Sequence, residues 1–134
     1  MNNRYSCKGK RKDNGECIEG YLYITHNGEY EIKKYDEVSN IEGMTYEVIP
    51  ETVGRCTELK DKNDKLIFEG DILRFVNDDG ETSNYEVYWS NDEAGWCIKK
   101  EDAFDAMDCW NETRESFEVI GNIYDNPELL EVER

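Results

Sequence analysis

Polar turns that carry glycine or asparagine punctuate this chain. Asp13-Asn14-Gly15, His26-Asn27-Gly28, Asn63-Asp64, Asp78-Asp79-Gly80 and Asp92–Gly95 each separate short runs rich in Tyr, Val, Ile and Trp. Asn-Gly and Asp-Asn-Gly between such runs are strong hairpin signals, because the turn needs a positive φ that glycine adopts without a Cβ clash. Short strands at intervals of about ten residues, joined by polar turns, predict small antiparallel barrels rather than a layered α/β fold. The fold class expected is mainly β.

The strands expected in the first half are "RYSCKGK", "CIEGYLYI", "YEIKKY" and "TYEVIPETV". Ile18, Tyr21 and Tyr23 are the residues of the second strand expected to pack. Pro50 confines the last strand to a sheet edge or ends it. In the second half "KLIF", "DILRFV", "NYEVYW", "GWCIKK" and "SFEVIGNIY" read as strands. Alternation faces Tyr85, Val87 and Trp89 one way and Glu86 and Tyr88 the other, with Trp96 and Ile98 inward on the next strand. Phe104, Met107 and Trp110 recur at helical spacing, which predicts a short helix or a loop over the barrel mouth. "NPELLEVER" predicts a C-terminal helical turn, capped by Asn126 with Pro127 at its first position. The organisation expected is a hairpin-rich part over residues 1–56, then a five-stranded SH3-like barrel over residues 57–134 that ends in the helical turn.

Charge divides the chain unevenly. Residues 1–67 hold 11 Lys/Arg and 13 Asp/Glu, residues 68–134 hold 5 and 19, and the net charge is −16. A half this acidic repels nucleic-acid phosphates and anionic membranes and attracts basic protein surfaces, or simply keeps the chain solvated. Nucleic-acid stacking needs Lys or Arg beside exposed aromatics, and Arg74, Lys99 and Lys100 are few against 19 acids. "KGKRK", with Lys8, Lys10, Arg11 and Lys12, is a small basic patch that could meet an anion. It abuts a "DNG" turn, so an exposed hairpin tip is the better account of it. Tyr88, on the outward face of its strand, is the aromatic that suits a surface contact or a subunit interface.

No catalytic set is legible. Five cysteines, Cys7, Cys17, Cys56, Cys97 and Cys109, show no C-x-x-C spacing, and His26 is the single histidine. Zinc ligation or Cys-His catalysis would need remote residues to converge. The acids of "LKDKNDKLIFEGDILRF" (Leu59–Phe75) suggest a calcium loop, but an EF-hand template started at Asp61 puts Lys65, Leu66 and Ile72 where ligands and a glycine belong. A turn is the better account. Asp71 has no nucleophile or base near it in sequence, and its carboxylate suits a bond to a neighbouring backbone N–H. No catalytic residue, metal or cofactor is expected. No apolar run approaches the length of a membrane span and no signal peptide is legible, so a cytoplasmic protein with reduced thiols is expected.

"LKDKNDKLIFEGDILRF" followed by "EVIGNIYDNPELL", with "RYSCKGKRKDNGECIEGYLY" and "YEVIPETVGRCTELKDKN" before them, resembles the YopX-like family of phage and prophage proteins over nearly the whole chain. The family pattern usually reads "TGLKDKNG" where this chain reads "TELKDKND", so Glu58 and Asp64 stand in place of two glycines. Asp tolerates left-handed φ, so the turn at Asn63-Asp64 can survive. Glu58 is the odder change, since it removes a bare backbone where a ligand or neighbouring subunit could approach. The resemblance implies an SH3-type barrel after a β-rich part, and a homo-oligomer, with a hexamer of stacked trimers as precedent. It implies no activity and no catalytic residues. The function expected is therefore that of a non-catalytic binding protein of the host cytoplasm, acting in counter-defence by masking a host protein surface. An oligomeric sponge for a small nucleotide signal is one alternative, and a phage assembly or regulatory factor is another. Glu58, Arg74, Tyr88, Lys8, Lys10 and Arg11 are the candidate binding or interface residues.

Overall fold

The computed structural model describes residues 6–34, 45–100, 103–107 and 113–130, with the backbone alone at 103–106. Cys109 and Trp110 lie outside the described residues. The fold is mostly β, and the chain divides into two compact units, residues 1–56 and 57–134.

The first unit is an antiparallel meander. Strands β1 (Ser6–Lys10), β2 (Cys17–Ile24), β3 (Tyr30–Lys34) and β4 (Thr45–Glu47) follow one another, and β1 also pairs with the start of β5 (Gly54–Lys60) through Cys7↔Arg55 and Lys8↔Gly54. Gly15 and Gly28 take φ of +76° and +87° in the two hairpin turns, as the Asn-Gly signals require. Cys7, Ile18, Ile32 and Val48 form the buried core, with Leu22, Tyr30, Tyr46 and Val53 packed against it. The inward face of β2 is thus Ile18, Gly20 and Leu22. Tyr21 and Tyr23 fall on the opposite parity; Tyr21 is half-buried, whereas Tyr23 and Ile24 are exposed, which corrects the expectation that Tyr23 packs. The β4 strand is an edge, and Pro50 opens a 3-10 turn at Pro50–Thr52.

In the second unit the end of β5 and β6 (Leu66–Phe68) form a hairpin. The other strands make a five-stranded sheet in the order β10-β9-β8-β7-β11. These are β7 (Asp71–Val76), β8 (Thr82–Ser90), β9 (Gly95–Lys100), β10 (Ala103–Ala106) and β11 (Phe117–Asn122). Ile67, Leu73, Val87, Ile98, Met107 and Phe117 are its buried core, and Leu59, Phe75, Tyr85, Trp96 and Val119 pack against them. Phe75, Tyr85 and Phe117 stack with centroids 5.0–6.5 Å apart, within the range of favourable edge and tilted ring pairs.

The segment Ala103–Ala106 is a strand rather than the expected helix or loop. It pairs with β9 from Ala103↔Lys100 to Ala106↔Cys97. Helical spacing in a short Asp-rich run is weak information, and the open edge of β9 supplies a ladder that the run joins. The C-terminal turn forms at Pro127–Leu130. Asn126 enters it differently from the expected side-chain cap. Its backbone carbonyl accepts from Leu129 N–H, while its Oδ1 faces back to Asn122 N–H at 3.3 Å.

Candidate functional site

The acids that most suggest a site are structural. Asp61 is fully buried, and its carboxylate accepts three backbone N–H groups: Asn63 at 2.8 Å and Lys65 at 3.0 Å on Oδ1, and Val119 at 2.9 Å on Oδ2. It closes the Asp61–Lys65 turn and fastens that turn to β11. Lys62 N–H reinforces the join by donating to Phe117 C=O. Asp71 is also fully buried and accepts Phe68 N–H at 2.8 Å, the local bond its position in "EGD" anticipates. Gly70, at φ +91°, carries the corner between β6 and β7, donates to Val87 C=O and accepts Ile123 N–H. The Tyr124 ring lies so near that a Cβ on Gly70 would sit 3.3 Å from Cε2. Burial, then Glu69 and Glu86, pushes the Tyr124 hydroxyl pKa up. The stretches "LKDKNDKLIFEGDILRF" and "EVIGNIYDNPELL" therefore hold each other as a clasp.

The two positions at which the resemblance sets glycine are both left-handed. Glu58 has φ +68° and Asp64 φ +63°. Glu58 is exposed and sits at a kink in β5, where Leu59 N–H turns to the Thr57 hydroxyl at 3.0 Å. That hydroxyl is buried and donates its proton to Ile67 C=O at 2.8 Å. The backbone at position 58 thus takes a φ that glycine adopts without a Cβ clash. Asp64 lies in the Asp61–Lys65 turn and pairs with Arg114 at 2.9 Å.

The remaining sequence candidates are scattered. Arg74 is exposed on β7, and the strand register sets it opposite Glu118. Tyr88 is half-buried with Lys99 Nζ 4.7 Å from its ring centroid; desolvation, then Cys97, pushes its hydroxyl pKa up. Arg11 forms a two-bond contact with Asp13 and stacks 4.2 Å over Tyr46, and Lys12 pairs with Glu47 at 3.0 Å. Asp13 raises the Arg11 pKa, and Arg11 lowers that of Asp13. The basic patch is therefore occupied in part by its own carboxylates. Lys8 and Lys10 lie on β1, and Lys10 N–H donates to Thr52 Oγ1. Glu58, Arg74 and Tyr88 thus belong to the second unit, and Lys8, Lys10 and Arg11 to the first.

One cleft escapes the sequence reading. It measures about 350 Å³ and lies in the second unit, lined by Thr57, Leu59, Glu93, Ala94, Gly95, Trp96 and Met107. Its floor comes from the Thr57–Leu59 kink, and its rim from the turn between β8 and β9. Ala94 takes φ +52° in that turn, and Ser90 Oγ accepts Glu93 N–H at 3.2 Å. Trp96 packs against the core on one side and meets Trp89 edge-on at 5.3 Å between centroids. Trp89, placed inward by alternation, is 36 % exposed. Its strand ends at Ser90, beyond the core, so parity no longer implies burial there. The sequence signal available was the pairing of Trp89 and Trp96 across a four-residue acidic turn, which register makes direct neighbours. Among the described residues, no group of three or more His, Cys, Asp or Glu is placed to hold a metal ion, and no helix is long and apolar enough to cross a membrane.

Comparison with known proteins gives one family match. The family model described as YopX protein covers residues 8–131 of the 134. No curated protein matches the chain.

Proposed function

The chain belongs to the YopX family, and from that premise we propose that it is a phage- or prophage-encoded, non-catalytic binding protein whose acidic second unit covers a basic surface on a host protein. The observation that carries this reading is the charge of that unit. Residues 57–134 hold 22 Asp/Glu against 8 Lys/Arg. Asp78, Asp79, Glu81, Asp92, Glu93, Glu115, Asp125 and Glu128 are all exposed. Lys60, Lys62, Lys65 and Arg74 are exposed among them, and the balance of the unit is still −14, 8 cations against 22 acids. Arg114 is drawn to Asp64 and Glu115, and Lys99 and Lys100 lie over the Tyr88 and Tyr85 rings. A surface of this kind steers basic partners toward it and repels nucleic acid. Counter-defence by such masking, in the host cytoplasm and as a homo-oligomer with a hexamer as the precedent, is the finer form of the same proposal.

The sponge reading needs cations available to an anionic nucleotide. Arg11 and Lys12 are already paired with Asp13 and Glu47, which weighs against it. The test is retention of host proteins from lysate on the immobilised chain at low and at high salt. Basic nucleic-acid-binding proteins should be held at low salt and released at high salt. If no host protein is retained at either, the masking reading fails.

A further inference from the structure

We propose that the cleft between the Thr57–Leu59 kink and the β8–β9 turn receives an arginine side chain from the basic partner. This rests on the masking function proposed above and adds a place and a chemistry to it.

The cleft selects for cations. None of its lining side chains is positively charged. The one lining hydroxyl, on Thr57, has already given its proton to Ile67 C=O, so toward a ligand it offers a lone pair only. Glu93 stands exposed at the rim with Asp92 next to it. An anion would meet acceptors and negative charge, whereas a cation would meet both favourably. Arginine fits the walls better than a compact ammonium. Trp96 presents an indole for a planar guanidinium to stack on, and Leu59 and Met107 offer apolar surface to an aliphatic stem. At about 350 Å³ the cleft is at the small end of ligand pockets, suited to one long side chain rather than a folded ligand. The exposed Trp89 beside Trp96 extends the aromatic surface outward, where the partner's neighbouring backbone would lie.

The experiment measures the affinity of a fluorescent arginine-rich peptide for the full chain by anisotropy at physiological salt. Three proteins are compared: wild type, Glu93→Lys at the rim, and Asp78→Lys in the exposed β7–β8 turn. The two variants carry the same net charge change, and both positions are exposed, so folding is retained and is checked by thermal unfolding. The expected result is a loss of about tenfold or more for Glu93→Lys and about twofold or less for Asp78→Lys. Equal losses in the two variants would overturn the cleft and leave the general acidic masking standing. No binding of the peptide to wild type, even at low salt, would overturn the masking function and the cleft with it.

Discussion

The Asp61 carboxylate accepts the Val119 N–H at 2.9 Å across 58 positions of sequence, and the same side chain holds its own turn through Asn63 and Lys65. One buried acid thus ties the β5–β6 hairpin to the last strand of the sheet. Hydrogen bonds to an ionised acceptor contribute more than neutral ones, and N–H groups left without a partner on burial carry the full desolvation cost. Asp61→Asn keeps the shape but replaces one accepting oxygen by an amide that points hydrogens at a donor. It should destabilise the chain by about 2–4 kcal/mol. Urea unfolding should show a lower midpoint with an unchanged slope. A loss under about 0.5 kcal/mol would mean that this carboxylate does not hold the clasp.

Glu58 and Asp64 share a left-handed backbone but not its consequences. A left-handed φ costs a residue with a Cβ about 1–2 kcal/mol, and glycine avoids that cost while losing about 0.5–1 kcal/mol in chain entropy. Asp64 is of a type that tolerates this region and also meets Arg114. Glu58 lacks that short side chain. Glu58→Gly should therefore stabilise by up to about 1 kcal/mol, and Asp64→Gly should be near neutral. Equilibrium unfolding of the two variants compares them directly. Equal gains would place the difference in the unfolded chain instead of in the two side chains.

The strand-turn-strand pattern was readable because Asn-Gly, Gly-Asp and acidic turns state their φ requirements locally, and Gly15, Gly28, Gly70 and Gly80 all take positive φ. Asp71 was readable for the same reason, since its partner Phe68 is three residues away. Asp61 was readable only as a turn residue. Its bond to Val119 joins strands that no local rule connects. Tyr23 and Trp89 were misplaced where a strand's parity or its reach past the core decided burial, and neither is visible without the register. Ala103–Ala106 joined a sheet edge that only the folded chain provides. The cleft was not legible because its floor and rim, Thr57–Leu59 and Glu93–Trp96, come together only in the fold.

Gly70 and Gly80 separate backbone strain from contact. Both have φ above +80°, but a Cβ on Gly70 would press on Tyr124 at 3.3 Å, while nothing lies within 4 Å of one on Gly80. Gly80→Ala should cost the conformational term alone, about 1–2 kcal/mol. Gly70→Ala should cost more. In a Tyr124→Ala background its excess over Gly80→Ala should disappear, as a double-mutant cycle would measure. If the excess persists without the ring, the close approach of Tyr124 is not its cause.

Arg114 donates to Asp64 Oδ1 at 2.9 Å, and this bond is the main reason the Asp64 carboxyl titrates below its ordinary 3.8. A folded-state pKa below the unfolded value means that the pair's stabilisation is present above pH 3.8 and is lost as pH falls through the folded value. Asp64 is exposed, so this stabilisation is weak and screened by salt, and carboxyl titration by NMR is the better readout. In Arg114→Gln the Asp64 midpoint should rise toward 3.8, and added salt should move the wild-type midpoint the same way. Asp13, held low by Arg11 in the first unit, is an internal control that should not move in this variant. A fixed Asp64 midpoint would show that the ion pair does not form in solution. The turn at Asn63-Asp64 would then be held without that pair, by Asp61 and by the Lys62–Phe117 bond.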